Sequence, residues 1–235
     1  KKWFDEIIKP LKPINIDNSF ATVFLWRRRY KTKICRYKDF ILKQMISDSG
    51  DIVYSFPAGR GNIMEALSEI ITDNKKRTDK PLNLYMPKNH RELLDELLPD
   101  SFDYKAIDSD SEYIYFSENL ATLAGRKFHS KRNHINKIKN LYDYSYEEIS
   151  SRNFDDVIFI TKKWSDANGC SDESSPCLAE HCAMNDAIKY FEELQLKGGL
   201  IRLSGMPAAM SIGSEISAAA FDVNFEKSIP GYDGL

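Results

Sequence analysis

Six cationic side chains and no carboxylate occur between Gly125 and Leu141, in the segment GRKFHSKRNHINKIKNL. A one-signed cluster of this kind attracts an anionic ligand, whereas a solvated helix usually pairs Glu with Lys four residues apart. Two interpretations remain open: a helix that binds an anion, or a solvated helix with a charged outer face. The cations are Arg126, Lys127, Lys131, Arg132, Lys137 and Lys139.

A narrow apolar stripe runs through the same segment. Phe128, Ile135, Ile138 and Tyr142 follow one another at spacings of seven, three and four residues, which predicts one face of a helix. The stripe would anchor this basic helix, and its cationic faces would point to solvent or to a ligand.

Proton transfer requires a base, and the strand-like segment Ala220–Lys227 supplies one. Strict alternation places Asp222, Asn224 and Glu226 on one face. They form either the outer row of a half-exposed strand or the lining of a cavity, if the strand is central. In a cavity, Glu226 would be a candidate general base for an amine nucleophile.

Two histidines of the basic helix are further candidates for proton transfer. His134, the second catalytic candidate, and His129 could act as bases, or as neutral donors to an anion. No Ser–His–Asp or Cys–His arrangement can be argued from the sequence.

Two glycine-containing loops are typical of anion sites, because backbone N–H groups and a helix N-terminus can point the same way. One is Gly59-Arg60-Gly61-Asn62, which follows a strand and precedes a helix. The other is Pro230–Gly234, near Lys227. Turn geometry explains such glycines equally well. The predicted anion contacts from these loops are Gly59, Arg60, Gly61, Lys227, Gly231, Tyr232 and Gly234.

The cysteines do not indicate a metal site. Cys170, Cys177 and Cys182, beside His181, are spaced by seven and five residues. These spacings match none of the paired patterns of structural zinc, so we predict no metal.

Composition limits the class of protein. The chain has 235 residues, 42% hydrophobic residues and a net charge of −2, so its positive charge is local and a general nucleic-acid coat protein is excluded. No run of about eighteen apolar residues could span a membrane. The first residues are charged and contain no signal peptide or initiator Met, so we expect a cytoplasmic protein that begins a few residues upstream.

The first half reads as a mixture of helices and strands. Its amphipathic opening buries Trp3, Phe4, Ile7 and Ile8, and Ser19–Tyr30 fits either a helix or a strand. The predicted strands are Lys33–Ile46 as a hairpin, Asp51–Phe56, Leu82–Met86, Phe102–Ala106 and Glu112–Phe116. The predicted helices are Ile63–Asn74, capped by Asn62 with Glu65, and Asn89–Leu98, capped by Asn89 with Glu92.

The second half repeats the order of hairpin, long strand, Pro/Gly loop and helix. Its predicted helices are Phe154–Trp164 and Leu178–Leu196, separated by an acidic loop at Ser171–Pro176. The inward face of the first helix is expected to carry Phe154, Val157, Ile158, Thr161 and Trp164. Its predicted strands are Tyr144–Ile149, Leu200–Leu203, Ala208–Ile212 and Ala218–Phe225. Antiparallel strands with helices on their faces predict an α+β fold.

Four segments carry a resemblance to a known family: YSFPAGRGN, DSEYIYF, ENLATLAGRKFHSKRNHINKIKN and FEKSIPGYDGL. The chain resembles, over essentially its whole length, a bacterial family of uncharacterised domains related to the C-terminal catalytic domain of phosphatidylglycerol lysyltransferases. The resemblance implies two tandem lobes similar to GCN5-related N-acetyltransferases (GNAT), with mixed, mostly antiparallel sheets. We expect lobes at residues 1–117 and 143–235, joined by the basic helix within 118–142.

The resemblance also implies a reaction. The related lysyltransferases transfer an aminoacyl group from a charged tRNA to an amine or hydroxyl, and ordinary members of the fold use acyl-CoA. We therefore expect an acyltransferase with acyl-CoA or aminoacyl-tRNA as co-substrate, no permanently bound cofactor, and a small-molecule, peptide or lipid-headgroup acceptor. The alternative is a non-catalytic GNAT-like module that binds RNA or another polyanion through the basic helix.

Relatives continue past the PGYDGL loop with a helix and further elements. Strand Ala218–Phe225 would otherwise be a long apolar edge. We expect the chain to continue beyond Leu235, or another element to cover this edge.

Overall fold

Two compact units make up the computed structural model, which describes residues 1–169 and 176–235. Unit 1 comprises Lys1–Ser111 and Ile216–Ala220, and unit 2 comprises Glu112–Glu215 and Phe221–Leu235. This places the basic helix in unit 2. The predicted division at 117/118 and 142/143 stays a prediction.

Unit 1 contains a mixed sheet flanked by helices. β1 and β2 form the predicted hairpin, β3 pairs with β2 in antiparallel and with β5 in parallel orientation, and β4 also pairs with β2. The elements are α1 (Lys2–Ile8), α2 (Phe20–Leu25), β1 (Lys33–Tyr37), β2 (Phe40–Ile46), β3 (Ile52–Ser55), β4 (Ala58–Gly59), α3 (Ile63–Arg77), β5 (Leu84–Tyr85) and α4 (Arg91–Leu97).

The core of unit 1 follows from its local patterns. The amphipathic opening forms α1, which buries Phe4, Ile7 and Ile8 against Ile41 of β2. The predicted cap begins α3: the Asn62 side chain accepts from the backbone N–H of Met64 and of Glu65. These two features were predictable because each depends on residues close together in the chain.

Unit 2 contains a four-stranded sheet in the order β6-β7-β8-β9, with antiparallel β6/β7 and β7/β8 pairs. The β8–β9 turn is the segment that belongs to unit 1. The elements are α5 (Ser117–Thr122), α6 (His129–Leu141), β6 (Tyr144–Glu148), α7 (Phe154–Ala167), α8 (Pro176–Lys189), α9 (Phe191–Leu194), β7 (Lys197–Leu203), β8 (Met206–Ser217) and β9 (Ala220–Ser228).

Helix α7 is attached to one face of the unit 2 sheet through Arg202. Its guanidinium donates to Glu147 Oε1 on β6 and to Asp156 Oδ2 on α7, each at 2.6 Å. The hydrogen bond from Arg202, followed by one from Asn153, lowers the pKa of the Glu147 carboxyl. Because side chains alternate, Glu147 faces α7 while Tyr146 and Glu148 face the opposite side of the sheet.

Several predicted elements differ from the structure. The two closing strands at Phe102–Ala106 and Glu112–Phe116 are wrong, since neither segment forms a strand. Alternation alone cannot supply a pairing partner, and Tyr113 and Phe116 are 90% and 79% exposed. The second capping box is also wrong: α4 begins at Arg91 after His90 and has no side-chain cap.

Two burial predictions also fail. Ile158, predicted to face inward on α7, is exposed, and Ile160 is buried in its place. In β9 the alternation changes phase once: Asp222, Phe225 and Lys227 are all buried. Asp222 and Glu226 therefore do not share a burial environment, contrary to the strict alternation expected. Phe221 and Val223 of β9 are half-exposed.

The fold class is confirmed as α+β, with mixed and antiparallel sheets flanked by helices. The GNAT-like nature of two tandem lobes stays a prediction. Most of the predicted acidic loop, Ser171–Ser175, lies outside the described residues. Within the described part of the chain, no helix is long and apolar enough to cross a bilayer.

Candidate functional site

A cavity of about 1060 Å³ lies in unit 2. Part of its lining, here called the floor, is the face of the sheet that carries Gly199, Ser211 and Gly213, and the lining also includes Met210 of β8 and Trp164 of α7. The register pairs Gly199 with Ser211 and Lys197 with Gly213, so these small residues are neighbours across β7 and β8. A floor of small side chains leaves room for a ligand above the sheet.

Two aromatic rings lie directly on the glycines of this floor. A Cβ atom on Gly199 would clash with the Tyr146 ring, and one on Gly213 would clash with the Phe221 ring. Both rings line the cavity together with Trp164 and Phe191. A side chain at position 199 would displace the Tyr146 ring, and one at position 213 would also clash with the backbone carbonyl oxygen of Asp222.

Lys227, predicted to contact an anion, lines the cavity but is already engaged. Its side chain is only 2% exposed, and its Nζ donates to Glu180 Oε1 of α8 at 2.7 Å. The same nitrogen lies 3.1 Å from the centre of the Trp164 ring, a cation–π contact. The ammonium group is thus held between an indole ring and a carboxylate.

Glu226, the predicted base, also lines the cavity. It is exposed, unlike the adjacent Lys227. The other members of its predicted polar row, Asp222 and Asn224, are not among the lining residues and bond to each other at 2.6 Å. The phase change in β9 is the physical reason for this separation.

The basic helix α6 is largely exposed, and its residues do not line the cavity. Arg132 donates to the carbonyl oxygens of Leu123 and Gly125 at the end of α5. Lys137 forms an ion pair of 2.6 Å with Asp233. Arg126, Lys127, Lys131 and Lys139 have no carboxylate partner among residues 1–169 and 176–235.

The loop Pro230–Gly234 packs against α6, so the structure brings two predicted groups together. The Tyr232 ring meets Tyr142 edge-on at 5.5 Å, and Asp233 N–H donates to the Tyr142 hydroxyl. A Cβ atom on Gly234 would approach the His134 carbonyl oxygen to 2.9 Å. Leu235, the next residue, lines the cavity. Gly231 has a φ of 102°, which favours glycine.

The two histidines of α6 lie outside the lining of the cavity. Both are exposed and neither lines the cavity. His129 Nε2 lies 3.2 Å from Asn133 Nδ2. The catalytic role predicted for His134 therefore has no support from its position.

In the unit 1 loop Gly59–Asn62, the polar groups hydrogen-bond within unit 1 and stabilise the turn. Arg60 donates through Nη2 to the Pro10 carbonyl oxygen at 2.9 Å. A Cβ atom on Gly59 would clash with the Asp39 carbonyl oxygen, and Gly61 has a φ of 128°. Since Asn62 already caps α3, turn geometry accounts for these residues.

Several lining residues were missed by sequence reasoning, among them Tyr146, Glu148, Trp164 and Glu192. They come from β6, α7 and α9, and no local motif links them. The metal expectation stays untested, because Cys170 lies outside the described residues. Within the described part, no three His, Cys, Asp or Glu side chains converge as metal ligands.

Comparison with known proteins identifies the family. The profile described as "Phosphatidylglycerol lysyltransferase, C-terminal" matches residues 8–235. The chain belongs to this family, so the resemblance predicted from sequence is confirmed. None of the curated proteins matches this chain.

Two of the solved structures that are similar to this chain illustrate the likeness. One is the crystal structure of a conserved protein of unknown function from Bacteroides thetaiotaomicron VPI-5482, at 30% identity and a TM-score of 0.90, covering 99% of this chain and 78% of that one. The other is the C-terminal domain (DUF2156) of a putative lysylphosphatidylglycerol synthetase from Agrobacterium fabrum. Its identity is 9% and its TM-score 0.60, with coverage of 99% and 69%, so it shows the fold alone.

Proposed function

We propose that this protein is an acyl- or aminoacyl-transferase built from two GNAT-like lobes. It moves an acyl group from acyl-CoA or aminoacyl-tRNA to an amine or hydroxyl acceptor. The observation that carries the proposal is the unit 2 cavity, in which Glu226 stands beside the buried Lys227. Membership of a family named for lysyl transfer supports the reaction class.

Glu226 acts as the general base in this proposal. Its carboxylate takes a proton from the acceptor nitrogen or oxygen, whose lone pair then attacks the carbonyl carbon of the donor. The ester or thioester bond of the donor breaks, and the leaving oxygen or sulfur is protonated. A small molecule, a peptide or a lipid headgroup can provide the acceptor, and no permanently bound cofactor is required.

Helix α6 and the helical turn that precedes it, Arg126–Phe128, bind the phosphates of the donor in this proposal. Arg126, Lys127, Lys131 and Lys139 support it, because they are exposed and have no carboxylate partner in the described ranges. Arg132 and Lys137 are less suited to this role, since both already bind groups of unit 2. A polyanion would be attracted to the four exposed cations and would release counterions on binding.

The test is the affinity of the protein for charged tRNA and for acetyl-CoA across a salt series. A tRNA donor gives a steep salt dependence, with a slope of about −0.7 to −0.9 per phosphate neutralised, and acyl-CoA gives a shallower one. Lys131→Glu with Lys139→Glu should weaken tRNA binding and lower the slope by roughly one unit for each phosphate that is no longer neutralised. Lys162→Glu on the exposed side of α7 is the matched control. Binding to neither donor contradicts the enzymatic proposal.

A second candidate function is a non-catalytic module that binds RNA or another polyanion. The observation that favours it is the position of α6, whose residues do not line the cavity. If this is the function, Glu226→Gln leaves binding and every cellular effect intact, whereas the double reversal at Lys131 and Lys139 abolishes both. If Glu226→Gln abolishes acyl transfer but leaves the affinity for the donor unchanged, the protein is an enzyme and not only a binding module.

A further inference from the structure

The cavity of unit 2 carries more negative than positive charge. Three carboxylates line it, from Glu148, Glu192 and Glu226, against the ammonium groups of Lys197 and Lys227. Lys227 is already neutralised by Glu180, which is not a lining residue. One cation therefore remains to balance three acids.

Lys197 can compensate at most one of these acids. Glu148 pairs with Gly199 across β6 and β7, so Lys197 is its diagonal neighbour on the same face of the sheet. Glu192 is the second residue of helix α9, and Glu226 lies on β9. Over residues 1–169 and 176–235, none of the three carboxylates forms an ion pair.

The aromatic walls add to this preference for positive charge. Tyr146 and Phe221 are exposed residues that line the cavity, and the face of an aromatic ring attracts an ammonium group. Lys227 illustrates the arrangement within the same cavity, with its Nζ 3.1 Å from the Trp164 ring centre and 2.7 Å from a Glu180 oxygen. Rings and carboxylates together suit a ligand with a cationic nitrogen.

We infer that the cavity binds the acceptor as a cationic amine, and not as a hydroxyl beside a phosphodiester. The inference rests on the proposed function and narrows its acceptor to one class. An acceptor that carries a phosphate would bring a negative charge among uncompensated carboxylates, which disfavours its binding. An ammonium group would be attracted by the same carboxylates.

With an amine acceptor, every bond and proton of the acyl transfer can be accounted for. The bound ammonium group gives one proton to the Glu226 carboxylate, and the freed lone pair forms a C–N bond to the donor carbonyl carbon. The C–O or C–S bond of the donor breaks, and the leaving atom takes a second proton from the nitrogen. The product is an amide, and Glu226 returns its proton to solvent.

The test uses three small probes with the intact chain: n-butylammonium, the isosteric butan-1-ol, and glycerol phosphate. Isothermal calorimetry or chemical-shift titration at pH 7 should show n-butylammonium binding about tenfold tighter than butan-1-ol, with glycerol phosphate the weakest. Glu192→Gln and Glu226→Gln should each weaken n-butylammonium binding several-fold and leave butan-1-ol unchanged. Glu193→Gln, the exposed neighbour outside the cavity, is the matched control and should change neither.

Distinct outcomes separate the inference from the proposed function. Tighter binding of glycerol phosphate than of n-butylammonium, or amine binding that is insensitive to both Gln variants, overturns the inference. Transfer to hydroxyl acceptors alone also overturns it but leaves the transferase proposal standing. Selective amine binding without transfer from either donor supports a cavity that binds cations and overturns the proposed function.

Discussion

At the scale of single residues, His90 is a titratable group placed where a charge is unfavourable. Its imidazole stacks on Phe56, with ring centres 4.7 Å apart and planes 13° apart. Its Nδ1 atom is buried and has no hydrogen-bond partner among the described residues. Burial lowers the pKa of His90, because the protonated ring would lose hydration without gaining an acceptor.

The lowered pKa of His90 predicts that the free energy of unfolding decreases in mild acid. Below about pH 6.5 the unfolded chain binds a proton at His90 more readily than the folded chain, so the free energy of unfolding decreases as pH falls. His90→Phe keeps the stacked ring but does not titrate, and should lose less stability between pH 7 and pH 5. Urea unfolding at several pH values measures this difference.

The control for this prediction is His181→Gln, since His181 lies exposed on α8. The pH dependence of the free energy of unfolding of this variant should match that of the parent protein. An equal loss of stability in the parent and in His90→Phe would show that another group causes the acid sensitivity.

At the scale of elements, one buried ammonium group joins α8 to β9. The Lys227 side chain is 2% exposed and Glu180 is 30% exposed, so the pair is sheltered on the lysine side. Removing Glu180 would leave a buried charge held only by the Trp164 ring. The contact between α8 and β9 therefore depends on both charges.

Glu180→Gln should lower the free energy of unfolding by about 1–3 kcal/mol, less than for a pair buried on both sides. Lys227→Met replaces the ammonium with an apolar group of similar length and should cost less when combined with Glu180→Gln. The double-mutant cycle should give a coupling of about 0.5–3 kcal/mol. Equilibrium urea unfolding measures it, and additive effects would contradict a direct interaction.

Elements also differ in how readily the sequence reveals them. The hairpin β1–β2 and the capped helix α3 match their predictions, because a turn or a cap is decided by residues a few positions apart. The strands predicted at Phe102–Ala106 and Glu112–Phe116 do not form. A strand needs a hydrogen-bonded neighbour, and local alternation carries no information about one.

At the scale of the whole molecule, the chain passes from unit 1 to unit 2 between Ser111 and Glu112. The residues that follow have exposed apolar side chains, with Tyr113 at 90%, Ile114 at 68% and Phe116 at 79%. Segments 102–107 and 111–116 contain no helix or strand. Exposed backbone of this kind can enter a protease without prior unfolding.

Brief digestion with chymotrypsin should therefore cut first at Tyr113, Tyr115 or Phe116, as identified by mass spectrometry of the fragments. Tyr54, which is 3% exposed, serves as an internal control and should be cut only after unfolding. First cleavage within the core of either unit would contradict the exposure of this segment.

The sequence alone determined the α+β class, the family, the basic character of α6 and the first residues of α3 and α7, because these depend on composition and on residues close in the chain. Only the tertiary structure decided which charges are already paired, such as Arg132, Lys137 and Lys227. It also decided that the cavity is lined by β9 and by acids and aromatic rings of distant elements, and not by α6. The physical reason is that pairing and enclosure depend on side chains distant in sequence, which meet only when the strands and helices have packed.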